Sequence, residues 1–202
     1  MSDLPIVACV VEGDGEETAV PLLVRRIIDD VQLASRVATR LARRVNRSKL
    51  VQSGGIEVTV EAVAREVGRP GAILILIDAD DDCPATLGPR LQQRARAARE
   101  DLPISVVLAN KEYEAWFLAA ARSLRGERGL PADLEPPDHP ERIRDAKGWL
   151  GKRMAAGRKY SERLDQPALS ARFDLRQARG ADSFDKFYRE VVALVTGLTA
   201  EP

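Results

Sequence analysis

Residues Ala72 to Ile77 read Ala-Ile-Leu-Ile-Leu-Ile, with Pro70-Gly71 before them and Asp78-Ala79-Asp80-Asp81-Asp82 after. The run is short and does not alternate with polar residues. That is the pattern of a strand covered on both faces, as in a parallel sheet. The acids begin where the strand would end, and in open α/β sheets that carboxyl edge is where ligands bind. In an extended chain Asp78 and Asp80 share a side. Two carboxylates held about 4 Å apart repel by roughly 4 kcal/mol at an effective dielectric near 20. Such a pair calls for a cation between its members or a shared proton. Carboxylate oxygens at a partly open site suit Mg²⁺ or Mn²⁺. A lone Asp-x-Asp is as often a helix cap or a solvated loop, so the other strand ends carry the decision.

A second continuous apolar strand, Pro5 to Val11, runs into Glu12-Gly13-Asp14-Gly15-Glu16-Glu17. Val20, Leu23, Val24, Ile27, Ile28 and Val31 follow at helical spacing, with Pro21 expected in the first turn. Glu16 and Glu17 stand at the positive end of that helix, which favours carboxylates. Glu12 has no such explanation, because it terminates a buried strand directly, as Asp78 does. The turn is not a phosphate loop: it has neither Gly-Lys-Ser/Thr nor Gly-x-Gly-x-x-Gly, and its acids repel phosphate unless a metal intervenes. A third buried strand, Pro103 to Ala109, leads into Asn110-Lys111-Glu112-Tyr113-Glu114. The helix after it carries Trp116, Phe117, Ala120 and Leu124, aromatics that read as core.

Further helices are expected over 56–67 and 87–100. Strands alternating with helices make an α/β fold, here a mostly parallel four-stranded sheet flanked by helices. From Gly126 to Glu141 the chain is rich in Pro and charge and reads as a connection. Helices are expected over 142–154, 168–179 and 184–198. The chain thus divides into an α/β core, 1–125, and a helical C-terminal extension, 126–202, packed on the same domain.

Lys+Arg and Asp+Glu both number 31, so overall charge steers nothing and local clustering carries any electrostatic argument. Arg36 to Lys49 holds six basic residues and no acid. Val37, Thr39, Leu41 and Val45 allow a strand there, and a helix stays open. Arg43, Arg44, Arg47 and Lys49 are its candidate contacts to a phosphate backbone, against the plainer reading of a solvated basic face. Cys9 and Cys83 read as small core residues in a reducing cytosol. The single histidine, His139, lies in the Pro-rich connection, which argues against a histidine general base. No signal peptide and no apolar run near the length of a membrane span is found, so a cytoplasmic protein is expected.

Glu12, Asp78/Asp80 and Glu112/Glu114 come from separate strands able to meet at one sheet edge. Several acids with no histidine describe a divalent-cation site, and Mg²⁺ commonly takes a few carboxylates, waters and substrate phosphate. Such ions activate water and stabilise the leaving oxygen in phosphodiester cleavage.

Strand-Glu12-Gly13-x-x-Glu16 followed by strand-Asp78-x-Asp80 resembles the Toprim domain of topoisomerases, primases and the overcoming-lysogenisation-defect nucleases. With Glu112-Tyr113-Glu114-Ala115-Trp116-Phe117 and Ser183-Phe184-Asp185-Lys186-Phe187, the chain resembles one uncharacterised Toprim-like family across most of its length. The resemblance implies a Toprim-like, Rossmann-like core. It implies Glu12 as catalytic acid/base or metal ligand and Glu16, Asp78 and Asp80 as metal ligands. It adds Glu112 and Glu114 as further ligands and Lys159 as a phosphate-stabilising base, so the catalytic set is Glu12, Asp78, Asp80 and Lys159. It implies Mg²⁺ or Mn²⁺ as cofactor, nucleic acid as substrate, and an ATPase of the ABC/recombination-repair type as partner, in mobile-element (phage) defence or repair. A homo-oligomer stays open. The expected function is a metal-dependent nuclease or nuclease subunit. The alternatives are a non-enzymatic subunit with a degenerate metal site and, ranked lower, a nucleotide-sugar transferase using Asp-x-Asp.

Overall fold

The fold is described from a computed structural model, which defines residues 4–40 and 42–200. Leu41, offered above as a strand position, lies outside the described residues. In chain order the elements are β1 (Ile6–Val11), α1 (Glu16–Asp30), β2 (Ala38–Thr39), β3 (Arg43–Arg44), α2 (Arg47–Val51), α3 (Gly55–Val67), β4 (Gly71–Asp78), α4 (Pro84–Ala98), β5 (Ile104–Ala109), α5 (Ala115–Ala119), α6 (Ala146–Gly151), α7 (Glu162–Ser170), α8 (Leu175–Ala178) and α9 (Asp182–Thr199). Short 3-10 turns punctuate the stretch between α5 and α6.

All strand pairings are parallel, in the order β2-β1-β4-β5, with β3 also on β1. The expected four positions across the sheet are present, but the edge beside β1 is split into two short pieces. β2 pairs with Ile6 and Val7, and β3 pairs with Val10 and Val11. From β1 the chain first travels to β2 and β3 on one side, then crosses to β4 on the other. The gap between the carboxyl ends of β1 and β4 is therefore the switch point of the sheet, the crevice where ligands bind in open α/β folds.

Every residue of β4 is buried, as its unbroken apolar run requires. Alternate side chains feed two cores. Val7, Cys9, Val11, Leu74, Leu76 and Val107 pack with α1, α5, α7 and α9 on one face. Val10, Ile73, Ile75, Ile77, Val106 and Leu108 pack with α3 and α4 on the other. Burying each such side chain is worth about 1.5–3 kcal/mol. The helices after residue 126 belong to the first of these cores: α7 lies along α1, and α9 lies on β4 and β5. Tyr113, Trp116, Phe117, Phe173, Phe184 and Phe187 are fully buried, with neighbouring ring centroids 4.7–6.1 Å apart. The aromatics are core, as their spacing suggests.

Some local expectations change. α1 starts at Glu16, so Pro21 falls in its second turn rather than its first. α4 starts at Pro84, where proline's missing N–H leaves no unmet bond. The helix expected over 168–179 is two, α7 and α8. Phe173, between them, turns into the core, and Asp174 caps α8 by accepting from the Gln177 amide at 2.9 Å. The helix expected over 142–154 shortens to α6, capped by Asp145. Cys83 is exposed, because the chain has already left the sheet at Asp78; Cys9, inside β1, is buried. Among the described residues no helix is long and apolar enough to cross a membrane.

Candidate functional site at the sheet's switch point

β1 and β4 deliver Glu12 and Asp78 to the same crevice. Asp78 is the last residue of β4 and is 5% exposed. Its Oδ1 accepts a hydrogen bond from the Tyr113 amide at 2.8 Å, in the turn after β5. Glu12 follows β1 directly and is half-buried, and its Oε2 is enclosed without a hydrogen-bond partner. Glu16, buried in the first turn of α1, reaches back so that Oε2 accepts from the amides of Glu12 and Gly13 at 3.1 and 3.2 Å. Glu16 therefore pins the turn that presents Glu12. Gly15 in that turn admits no side chain, since a Cβ would stand 2.4 Å from the Glu162 carbonyl oxygen of α7.

The turn after β5 supplies the remaining inner acids. Glu114 is fully buried; its Oε1 accepts from the Tyr160 hydroxyl at 2.9 Å and the Gln166 amide at 3.2 Å, while its Oε2 has no partner. Glu112 is half-buried and accepts from the Lys147 backbone amide at 3.2 Å.

Burial raises the pKa of each of these carboxylates, and at Asp78 and Glu16 neighbouring acids add to it. Burial, then the charges of Glu16, Glu114 and Glu12, raise the Asp78 pKa well above the usual range. Burial and then Asp80 raise that of Glu12. Burial, with Glu12 adding to it, pushes Glu16 up to about 7. Burial pushes Glu114 up to about 8 against the pull of Lys147 and Tyr160. Burial also raises Glu112.

The outer acids differ. Asp80 is exposed and adopts a left-handed backbone (φ 51°) past the end of β4. The shared side expected for Asp78 and Asp80 needs an extended chain, and the strand stops at Asp78. Asp80 lies 3.5 Å from Arg47, Asp81 is paired with Arg144 and Lys111, and Asp82 with Arg47. The outer acids thus have cations of their own, while the inner group of Glu12, Glu16, Asp78 and Glu114 shares one, with Arg47 acting on Glu12 as well.

The shared cation is Lys147, on α6. Its ammonium lies 3.0 Å from Glu162 and acts electrostatically on Glu12, Glu16, Asp78, Glu112 and Glu114. Burial works to lower its pKa, and the carboxylates of Glu114, Glu162 and Asp78 overcome that and hold it above the ordinary value. Sequence reasoning missed Lys147. It stands among Arg142, Arg144, Lys152 and Arg153, and nothing local separates it from a solvated basic helix.

Half of the basic stretch is already engaged with acids. Arg43 pairs with Glu66, and Arg44 lies 3.3 Å from Asp14. Arg47 donates to the carbonyls of Asp78 and Ala79 at 2.9 and 3.2 Å, and so forms part of the floor beneath the acids. Lys49 is exposed. Lys159 is exposed too, on a groove shared with Lys147 and Tyr160.

A hard dication is tested by these donors. Among the described residues no three His, Cys, Asp or Glu side chains are grouped to hold an ion by themselves. Mg²⁺ needs fewer, since one or two carboxylates with waters and substrate phosphate complete its shell. Glu12, with its enclosed orphan oxygen, and Asp78, crowded by other carboxylates, fit that role. Glu16 and Glu114 have an oxygen each already committed to internal hydrogen bonds.

The family model described as "Domain of unknown function (DUF4276)" matches residues 11–191. The chain belongs to this family. The match opens on the last residue of β1, immediately before Glu12, and runs into α9, so it spans the strand ends, Lys147 and the helices that close over them. Among solved structures, the C-terminal region of the Xanthomonas campestris pv. campestris OLD protein aligns over 95% of this chain and 94% of that chain, at 14% identity and a TM-score of 0.41. No curated protein matches the sequence.

Proposed function

We propose that this protein is a Mg²⁺- or Mn²⁺-dependent nuclease, or the nuclease subunit of a larger assembly, hydrolysing phosphodiester bonds at the switch point between β1 and β4. One observation carries the reading: half-buried Glu12 and buried Asp78 meet there, the charge of Glu12 adds to the burial that raises the Asp78 pKa, and an enclosed oxygen of Glu12 has no partner. Burying carboxylates without compensation is costly, and a function that uses the charge is the physical reason to keep them. A dication bound by them would supply activation of water and stabilisation of the leaving oxygen. Glu12 and Asp78 are the residues that would hold it. Glu16 fixes the Glu12 turn, and Arg47 fixes the backbone at the end of β4. Lys147, which acts on all the inner acids, would balance charge while a phosphate enters and leaves, beside Arg47, which acts on Glu12. The Toprim-like motifs Glu12-Gly13-x-x-Glu16 and Asp78-x-Asp80 support the same chemistry, and the same resemblance suggests work beside an ATPase.

The test incubates purified protein with DNA and RNA under Mn²⁺ or Mg²⁺, beside Glu12→Gln and Asp78→Asn. The wild type is expected to cleave at least one substrate, and each variant to be slower by about 100-fold or more. Equal products from all three would reject the hydrolytic reading.

A further inference from the structure

Next to the acidic centre lies an open groove of about 560 Å³, lined by Lys147, Lys152, Lys159, Tyr160 and Glu162 together with Gly148 and Gly151. Its cationic character is real after internal pairing is discounted. Lys147 is matched by Glu162 at 3.0 Å, while Lys152 and Lys159 have no ion-pair partner among the described residues. Nearby arginines are spent elsewhere: Arg153 stacks 3.6 Å over the Trp149 ring, and Arg158 binds Asp165 at 2.9 Å. The groove floor is tied to the inner acids at two points. Tyr160 donates to Glu114, and the Lys147 ammonium acts on the whole carboxylate group.

We infer that this groove, not the basic stretch 36–49, is the track along which a phosphodiester backbone reaches the acidic centre. The inference rests on the nuclease reading and names the surface that holds its substrate. Two unpaired lysines at the outer rim attract the polyanion. Lys147, at the inner end, meets the phosphate that arrives beside Glu12 and Asp78. A centre of three buried carboxylates and the half-buried Glu12 repels phosphate, so substrate must approach over a positive surface. The stretch 36–49 offers less at the acidic centre: Arg43 and Arg44 already face Glu66 and Asp14, Arg47 is turned inward, and Arg36 and Arg40 flank β2 at the amino end of β1, which leaves Lys49 as its cation there without an ion-pair partner among the described residues.

The experiment measures binding apart from cleavage. Full-length protein carrying Glu12→Gln is titrated, without divalent metal and across a salt series, into labelled single-stranded DNA and into the matching RNA. On this background Lys152→Glu/Lys159→Glu is compared with Arg43→Glu/Lys49→Glu and with the remote pair Arg65→Glu/Arg90→Glu. The groove pair is expected to weaken binding about tenfold or more and to lower the salt slope by about 1.4, as the loss of two phosphate contacts to a single strand predicts. The other pairs are expected to change both far less. DNA bound in preference to RNA, or the reverse, identifies which backbone the groove takes. Lysine-dependent binding by a wild type that never cleaves would uphold the groove and remove only the hydrolytic reading. Binding unchanged in Lys152→Glu/Lys159→Glu, or lost only in Arg43→Glu/Lys49→Glu, or absent for both nucleic acids, would overturn it. The four groove and stretch positions substituted are exposed, and thermal melting confirms that each variant is folded.

Discussion

Asp78, at the end of β4, accepts the backbone hydrogen of Tyr113 at 2.8 Å, so one buried carboxylate joins the central strand to the turn after β5. That same carboxylate is crowded by Glu12, Glu16 and Glu114. Its hydrogen bond stabilises the fold, and its charge destabilises it.

The two roles separate by substitution. Asp78→Asn keeps an oxygen for the Tyr113 amide and removes the charge, so its melting temperature at pH 8 in chelator is expected above that of the wild type. Asp78→Ala leaves the Tyr113 N–H unsatisfied, at a cost of about 1–3 kcal/mol. Thermal or urea denaturation of the three proteins checks the order. An Asn variant as unstable as the Ala variant would mean that the repulsion is not felt in the folded protein.

Glu114 sets a pH dependence. Burial raises its folded pKa from 4.5 to about 8, with Lys147 and the Tyr160 hydrogen bond opposing. Between those values the folded state holds a proton that the unfolded chain has released, so stability falls with rising pH. The contribution is complete below about pH 4.5 and lost by about pH 8; Glu16, raised to about 7, adds in the same direction. The melting temperature without divalent metal is expected to decline from pH 5 to pH 8. Glu114→Gln keeps the acceptor for Tyr160 and should flatten that decline and raise the pH 8 value by several degrees, at about 2–4 °C per kcal/mol for a domain of this size. A wild-type profile flat across this window would contradict the assignment.

At the other edge of the sheet, Gln92 of α4 imitates a missing strand. Its side-chain amide donates to the Ile104 carbonyl and accepts from the Val106 N–H, each at 2.7 Å. Those groups point away from β4, whereas the carbonyls of Pro103 and Ala109 point toward it and are bonded there. Open strand edges template association with other chains. Gln92→Ala is expected to lower stability by about 1–3 kcal/mol and to promote concentration-dependent self-association, read by denaturation and by size-exclusion with light scattering. A variant that stays as stable and as dispersed as the wild type would show the edge needs no cover.

Strand ends were the legible part of this chain. Six uninterrupted apolar residues before Asp78 and a similar run before Glu12 gave away two central strands and the acids that close them. Burial on both faces forces apolar residues at every position, and that needs no knowledge of partners. Helix lengths were less legible. The break between α7 and α8 exists because Phe173 turns into the aromatic core, a contact with Phe117 and Phe184 that local spacing does not encode.

The electrostatic division of the acids was hidden for the same reason. Asp78 and Asp80 look alike in the sequence, yet one is sealed under the Tyr113 turn and the other is exposed beside Arg47. Lys147 lies 69 positions from Asp78 and gave no sign of its part.

By itself, then, the order of residues determined the α/β class, the central strands and the places where carboxylates leave the sheet, because backbone periodicity and turn chemistry are local. Only the folded chain decided which carboxylates are buried, which cations answer them and where a charged ligand can approach. Burial and Coulomb interaction depend on distances through space, and the crossing from β1 to β4 sets those distances.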